Sequence, residues 1–350
     1  MWCRPCRPPR RQSNWRPWKW VRRHEAPRLR TDGLAWMSTA SPPHDAQHRS
    51  PQYEGPPVRT ADTLLAAAQR AGADRLDAQL LLLHAWGRSD PGATGRQRAW
   101  LLAHGDAPVP EAVAELFLAL IDRRVGGEPC AYLIGSREFF GLDLAVDPRV
   151  LIPRPDTELL VEWALEVLVA ASAEVAGTAR QVLDLGTGSG AIALALKHRL
   201  PALQVDAVDA SAEALAVAQT NARALGLDVR FLQGDWLGPA SGCYDCIVSN
   251  PPYVAAQDPH LAALRHEPLR ALTAGADGLR DLRIIIHTAG THLHAGGWLI
   301  VEHGYDQGPA VRALFADAGF AQVGTRRDLA GHERCTGGRV IGGKPPPMVK

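Results

Sequence analysis

The sequence lacks any long hydrophobic run. Although 46% of its 350 residues are hydrophobic, no stretch approaches the roughly 18 uninterrupted apolar residues that a membrane-spanning helix needs. Cysteine is also scarce: the chain has six, most of them far apart, and no apolar signal segment lies near the start. These absences exclude an integral membrane protein and a disulfide-stabilised secreted protein, and we expect a cytoplasmic one.

The chain also lacks a strong net charge, since its formal charge is +1. That value hides an asymmetry. Residues 1–57 carry 11 basic and 4 acidic side chains, whereas the rest carry 27 basic and 33 acidic ones. A protein that holds a nucleic-acid backbone usually presents a basic face. The acidic body therefore argues against direct nucleic-acid binding.

The first 36 residues contain five of the ten tryptophans and a run rich in arginine and proline, without helical or strand periodicity. Such a composition cannot build a core. A nucleic-acid-binding arm and an organellar transit segment are alternatives for this stretch. The favoured interpretation is that residues 1–36 are disordered or untranslated, ahead of a real start at Met37, and that 38–57 form a flexible lead-in, so that 1–57 is an N-terminal extension.

Three stretches between residues 58 and 126 carry apolar residues at helical spacing, and glycine follows each of them. We therefore expect a small helical bundle over 58–126. The three apolar faces are Leu64, Leu65, Ala68 and Ala71; Leu76, Leu80, Leu83 and Trp86; and Val113, Leu116, Leu120 and Ile121; the expected ends are Gly72, Gly87 and Gly126–Gly127.

A linker over residues 127–155 is predicted to contain a β-hairpin. Between Tyr132 and Ile152, apolar residues flank a turn signal around Gly141 and Asp143. A helix is then expected to begin near Glu158. Asp156 or Thr157 is expected to cap it.

Beyond residue 180, short apolar runs alternate with helical stretches, which is typical of a parallel sheet with crossover helices. The pattern predicts a doubly wound α/β fold whose ligand site lies where the strand order switches. The predicted strands are 181–185, 205–208, 229–232, 246–248 and 298–301, and the predicted helices are 191–198, 212–225 and 279–293.

A glycine-rich loop, Asp184 to Gly190, follows the first of these strands and opens a helix. Its glycines permit a tight turn and let a nucleotide-like ligand approach the backbone at the helix N-terminus. Asp209 ends the next strand, where a carboxylate can hold ribose hydroxyls. The same pattern fits a nicotinamide-dependent dehydrogenase, so the loop alone predicts the fold and leaves the cofactor open.

The motif Asn250-Pro251-Pro252-Tyr253, after the strand through Val248, selects the chemistry. The Asn250 side-chain oxygen and the Pro251 carbonyl offer two acceptors for a planar NH₂ group. Such a nitrogen is a poor nucleophile because its lone pair is conjugated. The site must therefore gain rate by aligning that nitrogen with an electrophilic methyl group, while the Tyr253 ring packs against the planar target.

Together with the glycine loop, this motif resembles the amino-methylating class of S-adenosylmethionine-dependent methyltransferases. Over about residues 58–342, the chain is similar to one family of that class, the release factor glutamine methyltransferases (PrmC/HemK). The motifs that carry the resemblance are Asp77 to Leu82, Phe139 to Leu142, Leu151 to Glu158, Asp235-Trp236, Ser249 to Tyr253, Gln257 to Leu261 and Glu302-His303-Gly304.

The resemblance implies a Rossmann-like class I methyltransferase domain over 156–342, with a mostly parallel seven-stranded sheet and a tail over 343–350. The helical domain over 58–126 would dock the release factor. The implied activity is methyl transfer from S-adenosylmethionine to the N5 amide nitrogen of the glutamine in the Gly-Gly-Gln motif of class I peptide-chain release factors. The implied enzyme is a monomer that needs no metal.

The family motifs also imply the site residues. Catalysis falls to Asn250, Pro251 and Tyr253, and substrate binding to these three with Pro252. Glu302-His303-Gly304 receives no site role, because a turn at the strand end explains it equally well. The implied cofactor-binding residues are Gly186, Thr187, Gly188, Ser189, Gly190, Asp209, Trp236 and Asn250.

One segment departs from the family pattern. Between Leu261 and Glu267 the chain has only residues 262–266, fewer than the family pattern leads us to expect, which implies a shortened loop on the substrate side. Two other functions stay open. The same chemistry serves a DNA or rRNA amino-methyltransferase acting on adenine N6 or guanine N2, and an inactive methyltransferase-like scaffold would keep the fold without the activity.

Overall fold

A computed structural model describes residues 59–90, 92, 95–172 and 180–341. The extension expected over 1–57 and the tail expected over 343–350 lie outside the described residues. No helix among the described residues is long and apolar enough to cross a membrane.

The N-terminal part of the described chain is helical. Thr60 caps the first helix with a reciprocal bond to Thr63, and Asp74 caps the second by accepting from the Leu76 amide. The expected bundle is thus confirmed, with two short helices that the residue pattern missed. The five helices are α1 (Ala61–Arg70), α2 (Arg75–Ser89), α3 (Arg98–Ala103), α4 (Glu111–Val125) and α5 (Cys130–Ile134).

The buried face of α2 differs from the prediction. Leu81, Leu82 and Ala85 are fully buried, whereas Leu76 is 43% exposed. Four consecutive leucines make the helical phase ambiguous, and α2 packs against α1, α3, α4 and α5, so its buried surface is wide. Gly87 was wrongly expected to end this helix, which continues to Ser89.

The predicted hairpin is confirmed with narrower bounds: β1 (Ser136–Phe139) pairs antiparallel with β2 (Leu142–Ala145). Phe140 and Gly141 form its turn with φ of 52° and 83°, as a two-residue hairpin turn requires. Tyr132 lies in α5 and Asp143 in β2, so neither belongs where the sequence pattern put it.

A seven-stranded sheet forms the second part, as expected for the class I methyltransferase fold. Its order is β5-β4-β3-β6-β7-β9-β8, with β9 antiparallel to both of its neighbours and the other pairs parallel. The order switches between β3 and β6. The strands are β3 (Gln181–Leu185), β4 (Gln204–Asp209), β5 (Arg230–Gln233), β6 (Tyr244–Ser249), β7 (Leu293–Glu302), β8 (Ala321–Arg327) and β9 (Glu333–Arg339).

Helices cover both faces of this sheet, and alternate strand residues supply its two cores. Val182 belongs to the core under α6 and α7, whereas Leu183 and Leu185 belong to the core under α9 and α10. The helices are α6 (Glu158–Ser172), α7 (Ala191–Arg199), α8 (Ala212–Leu225), α9 (Arg280–Ala289) and α10 (Gly308–Asp317).

The helix expected over 279–293 is wrong at its end, because α9 stops at Ala289. Leu293 instead begins β7, where it pairs with Tyr244 of β6. Sheet pairing therefore outweighs the helical pattern there. The residue pattern also missed α10, β8 and β9.

Replacing Phe117 by alanine tests the core of the helical part. Phe117 lies in α4 and is fully buried, so we expect Phe117→Ala to lower the free energy of unfolding by about 3–5 kcal/mol. Its neighbour Leu118 is 38% exposed and provides the control, since Leu118→Ala should cost less than about 1 kcal/mol. Urea unfolding followed by circular dichroism measures both, and equal losses would contradict this packing.

Candidate active site

A cavity of about 330 Å³ lies at the carboxyl edge of the sheet, beside the switch between β3 and β6. This is the position expected for the ligand site of a doubly wound sheet, and the volume is within the range of small-molecule sites. The predicted site residues that line it are Gly186, Gly188, Asp209, Trp236, Asn250 and Pro252.

The glycine loop between β3 and α7 has three glycines with positive φ: Gly186 at 72°, Gly188 at 56° and Gly190 at 86°. A side chain at Gly190 would press on Leu194 and Ala218, so this glycine is required for packing. Gly186 and Gly188 instead bring bare backbone to the cavity wall.

Thr187 and Ser189 are buried within the loop and do not line the cavity. The Thr187 hydroxyl donates to the Asp184 carboxylate at 2.7 Å, and the Ala193 amide donates to the same oxygen at 3.2 Å. Burial raises the pKa of Asp184 to about 7. Thr187 and Asp184 thus stabilise the loop conformation without lining the cavity.

Asp209, at the end of β4, is already oriented at the cavity wall. Its two carboxylate oxygens accept from the Gly188 amide at 2.9 Å and from the Ser211 amide at 2.8 Å. The carboxylate therefore links the glycine loop to the start of α8. It lies where a carboxylate can meet the hydroxyls of a ribose.

Trp236 covers the loop on another side of the cavity. A side chain at Gly186 would stand 3.5 Å from the Trp236 ring, so the indole lies close over the loop backbone. Trp236 has a φ of 45°, a left-handed conformation that is unfavourable for a bulky residue. The surrounding structure holds the indole in this position.

Asn250 follows β6 and lines the cavity. Its amide nitrogen donates to the Thr157 hydroxyl oxygen at 3.1 Å, which leaves Oδ1 as the acceptor that Asn250 can offer to a ligand. The expected helix start at Glu158 is confirmed. Thr157 was expected as a candidate cap for that helix, but it contacts Asn250 instead, because it is buried between the helix start and the end of β6.

Pro251 is buried, and Tyr253 is partly buried beside the core of β6 and β7. The Tyr253 hydroxyl donates to Glu302 at 3.1 Å, while its backbone carbonyl accepts from Gln307 at 3.0 Å. Neither Pro251 nor Tyr253 lines the cavity itself. Tyr253 therefore anchors the loop from below.

Glu302 and Asp184 received no site role from the sequence, but the structure makes both functional candidates. Both are buried carboxyls at strand ends beside the cavity, and burial raises the pKa of each to about 7. The sequence signal that could have identified them is their position near the carboxyl ends of the central strands β3 and β7. No cluster of three or more potential metal ligands occurs among the described residues.

Two arginines attach the segment over residues 262–267 to the rest of the chain. Arg154 in the linker pairs with the buried Glu267, which also accepts from the Ile152 amide at 3.1 Å. Arg265 donates to the carbonyl of Gly126 at the end of α4. Through Arg265 and Glu267, this segment therefore contacts both the helical part and the linker.

The hairpin is fixed to the sheet through Asn221 of α8. The Asn221 amide nitrogen donates to the carbonyls of Ala145 at 3.0 Å and Ser189 at 2.9 Å. Its oxygen accepts from the Ala145 amide at 2.8 Å. One side chain thus joins β2 to the glycine loop.

Comparison with known families supports both parts of the chain. A family model described as the methyltransferase small domain matches residues 161–277. A model described as the PrmC N-terminal domain matches residues 58–135. Among solved structures, a methyltransferase from Pyrococcus furiosus is 18% identical, with a TM-score of 0.43 over 58% of this chain and 90% of its own.

Curated relatives match almost over their full length. The release factor glutamine methyltransferase of Xylella fastidiosa is 50% identical and covers 80% of this chain and 97% of its own. That of Bordetella pertussis is 51% identical over 76% and 95%, and that of Escherichia coli is 43% identical over 79% and 95%. The chain belongs to the release factor glutamine methyltransferase family.

Proposed function

We propose that this protein transfers a methyl group from S-adenosylmethionine to the N5 amide nitrogen of the glutamine in the Gly-Gly-Gln motif of class I release factors. The observation that carries the proposal is the orientation of Asn250 at the cavity. Its nitrogen is committed to Thr157, so its oxygen is available to accept an N–H of a substrate amide. Membership of the family supports the choice of a release factor as substrate.

The cavity fits the cofactor that this reaction needs. We assign its methionine part to the loop Gly186 to Gly190 at the start of α7, its ribose to Asp209, and its adenine to the Trp236 indole. Thr187 and Ser189 act by holding the loop conformation rather than by direct contact. S-adenosylmethionine supplies an electrophilic methyl group, and this chemistry requires no metal.

The substrate amide meets two acceptors on the Asn250 loop. We assign the two N–H groups to Asn250 Oδ1 and the Pro251 carbonyl, with Pro252 at the cavity wall and Tyr253 holding the loop. This arrangement aims the nitrogen lone pair at the methyl group. The bound cofactor would supply the methyl group to this nitrogen, and the alkylated amide would release its proton to solvent without a dedicated base.

We assign release-factor docking to the helical domain over 58–126. Arg265 and Glu267 support this assignment, because their bonds connect that domain and the linker to the site loop. The acidic balance of the chain beyond residue 57 supports a protein substrate over a nucleic acid. We further propose that the enzyme is monomeric and acts in the cytoplasm.

A labelling experiment tests the reaction. The purified protein receives methyl-labelled S-adenosylmethionine with a class I release factor, with the same factor carrying alanine at the Gly-Gly-Gln glutamine, and with duplex DNA and rRNA in parallel. We expect label on the intact factor alone. Label on nucleic acid alone would replace this proposal by a base amino-methyltransferase, and no label anywhere would support an inactive scaffold.

Replacing Asn250 tests the assigned acceptor. Asn250→Ala should lower kcat/KM by about 100-fold or more, as expected for a lost preorganised polar contact. The dissociation constant of S-adenosylhomocysteine, measured by calorimetry, should change much less. Gln219→Ala removes an exposed amide on α8 and serves as the control. Full activity in Asn250→Ala would contradict the assignment.

A further inference from the structure

A buried carboxyl lies directly behind the Asn250 loop. Glu302 is the last residue of β7 and is 1% exposed. Ser249 of β6 pairs with Val301 of β7 in parallel register. Asn250 and Glu302 therefore leave neighbouring strand ends at the same edge of the sheet.

One hydroxyl group donates to this carboxyl, and a second lies close to it. Tyr253 donates to Glu302 Oε1 at 3.1 Å. The other oxygen, Oε2, is buried, and no donor among the described residues meets it in good hydrogen-bonding geometry. The Thr157 hydroxyl lies close enough to this carboxyl to lower the Glu302 pKa against the effect of burial.

Thr157 bonds Asn250 and lies close to Glu302. A hydroxyl has one hydrogen to donate and can accept through its oxygen. When Thr157 directs its hydrogen to Glu302, its oxygen faces the Asn250 nitrogen, which donates to it at 3.1 Å. In that arrangement the carboxylate would fix the direction of both bonds and turn Asn250 Oδ1 towards the cavity. We call Asn250, Thr157, Glu302 and Tyr253 the Glu302 network.

Two charged residues beside the network shift the Glu302 pKa in opposite directions. Arg334 of β9 lowers the Glu302 pKa, whereas Asp156, beside Thr157, raises it. These two residues also pair with each other at 3.2 Å. Burial lowers the pKa of the adjacent His303. Burial dominates at Glu302 and raises its pKa to about 7.

We propose that Glu302 is a positioning residue for methyl transfer: its carboxylate orients the Asn250 amide through Thr157 and anchors the Tyr253 end of the same loop. A protonated Glu302 has to donate its own hydrogen, so one hydroxyl bond reverses and the Asn250 orientation is no longer fixed. This inference rests on the proposed methylation of a glutamine amide.

Glu302→Gln keeps the shape of the side chain but not its two acceptors. We expect kcat with a release factor to fall roughly 10- to 100-fold, as for misaligned reacting groups. KM for the factor and S-adenosylhomocysteine binding should stay near their wild-type values, because Glu302 does not line the cavity. A merely structural carboxyl would lower the melting temperature and leave kcat unchanged, which would overturn the proposal.

The pH profile gives a second readout. The ionised carboxylate is the orienting form, so wild-type kcat should rise as pH rises through the Glu302 pKa of about 7. This acid-side rise should disappear in Glu302→Gln, whose kcat should be low and flat over the same range. An unchanged profile in the variant would overturn the proposal.

Thr157→Val provides a route that spares the carboxyl. It should lower kcat by a similar factor, and its combination with Glu302→Gln should cost little more than either change alone, because both act on Asn250 along one path. Glu333→Gln is the control: this β9 carboxylate pairs with Arg312 and Arg327 and should keep the wild-type kcat. If Glu302→Gln does not fold, a wild-type kcat in Thr157→Val overturns the proposal by itself.

The wild-type enzyme separates this inference from the proposed function. If it methylates nucleic acid and not the release factor, the proposed function fails, and the same variants are compared on the substrate it does methylate. If it methylates nothing, both fail. If it methylates the release factor and both variants keep full kcat, the positioning role of Glu302 alone is wrong.

Discussion

The parallel pairing of β3 with β6 is the constraint on which the site depends. Leu185 and Ser249 are paired in register, and the Ser249 hydroxyl donates to the Leu185 carbonyl at 2.8 Å. This places the glycine loop and the Asn250 loop side by side at one edge of the sheet. A slip of one residue would turn the side chains after β6 to the opposite face, so cofactor and substrate would no longer meet.

From that pairing, the site is assembled in two layers. Backbone glycines, Asp209, Trp236 and Asn250 face the cavity. Behind them, buried carboxyls hold the loops: Asp184 binds Thr187, and Glu302 binds Tyr253. Burying a carboxyl is unfavourable. The hydrogen bonds of these carboxyls hold the loops in place, and that rigidity is useful in a site that must align a weakly nucleophilic amide.

The sequence was sufficient to predict a helix or strand and its bounds where several local signals agree. The helix predicted over 212–225 is observed with those bounds because Ser211 caps it and Gly226 ends it in a left-handed conformation. Strands β8 and β9 gave no such signal. Gly337 and Gly338 of β9 lie against the rings of Trp163 and Phe315, where a Cβ would stand 3.0 Å and 2.8 Å away. Glycines that packing requires weaken a strand pattern.

For the candidate site, the Asn250 motif was recognisable from its residues. Its contact with Thr157 spans 93 residues and the Tyr253–Glu302 contact spans 49, so only the folded sheet reveals them.

The Asn221 side chain has a consequence for how the helical domain can move. Because it bonds both β2 and the glycine loop, the Asn221 side chain attaches the hairpin to the sheet. Any rotation of the helical domain relative to the sheet would therefore have to occur before β1, where Gly135 adopts a φ of 84°. Rotation about this point would break the bond between Arg265 and the end of α4. That bond therefore attaches the end of α4 to residues 262–266 beside the candidate site.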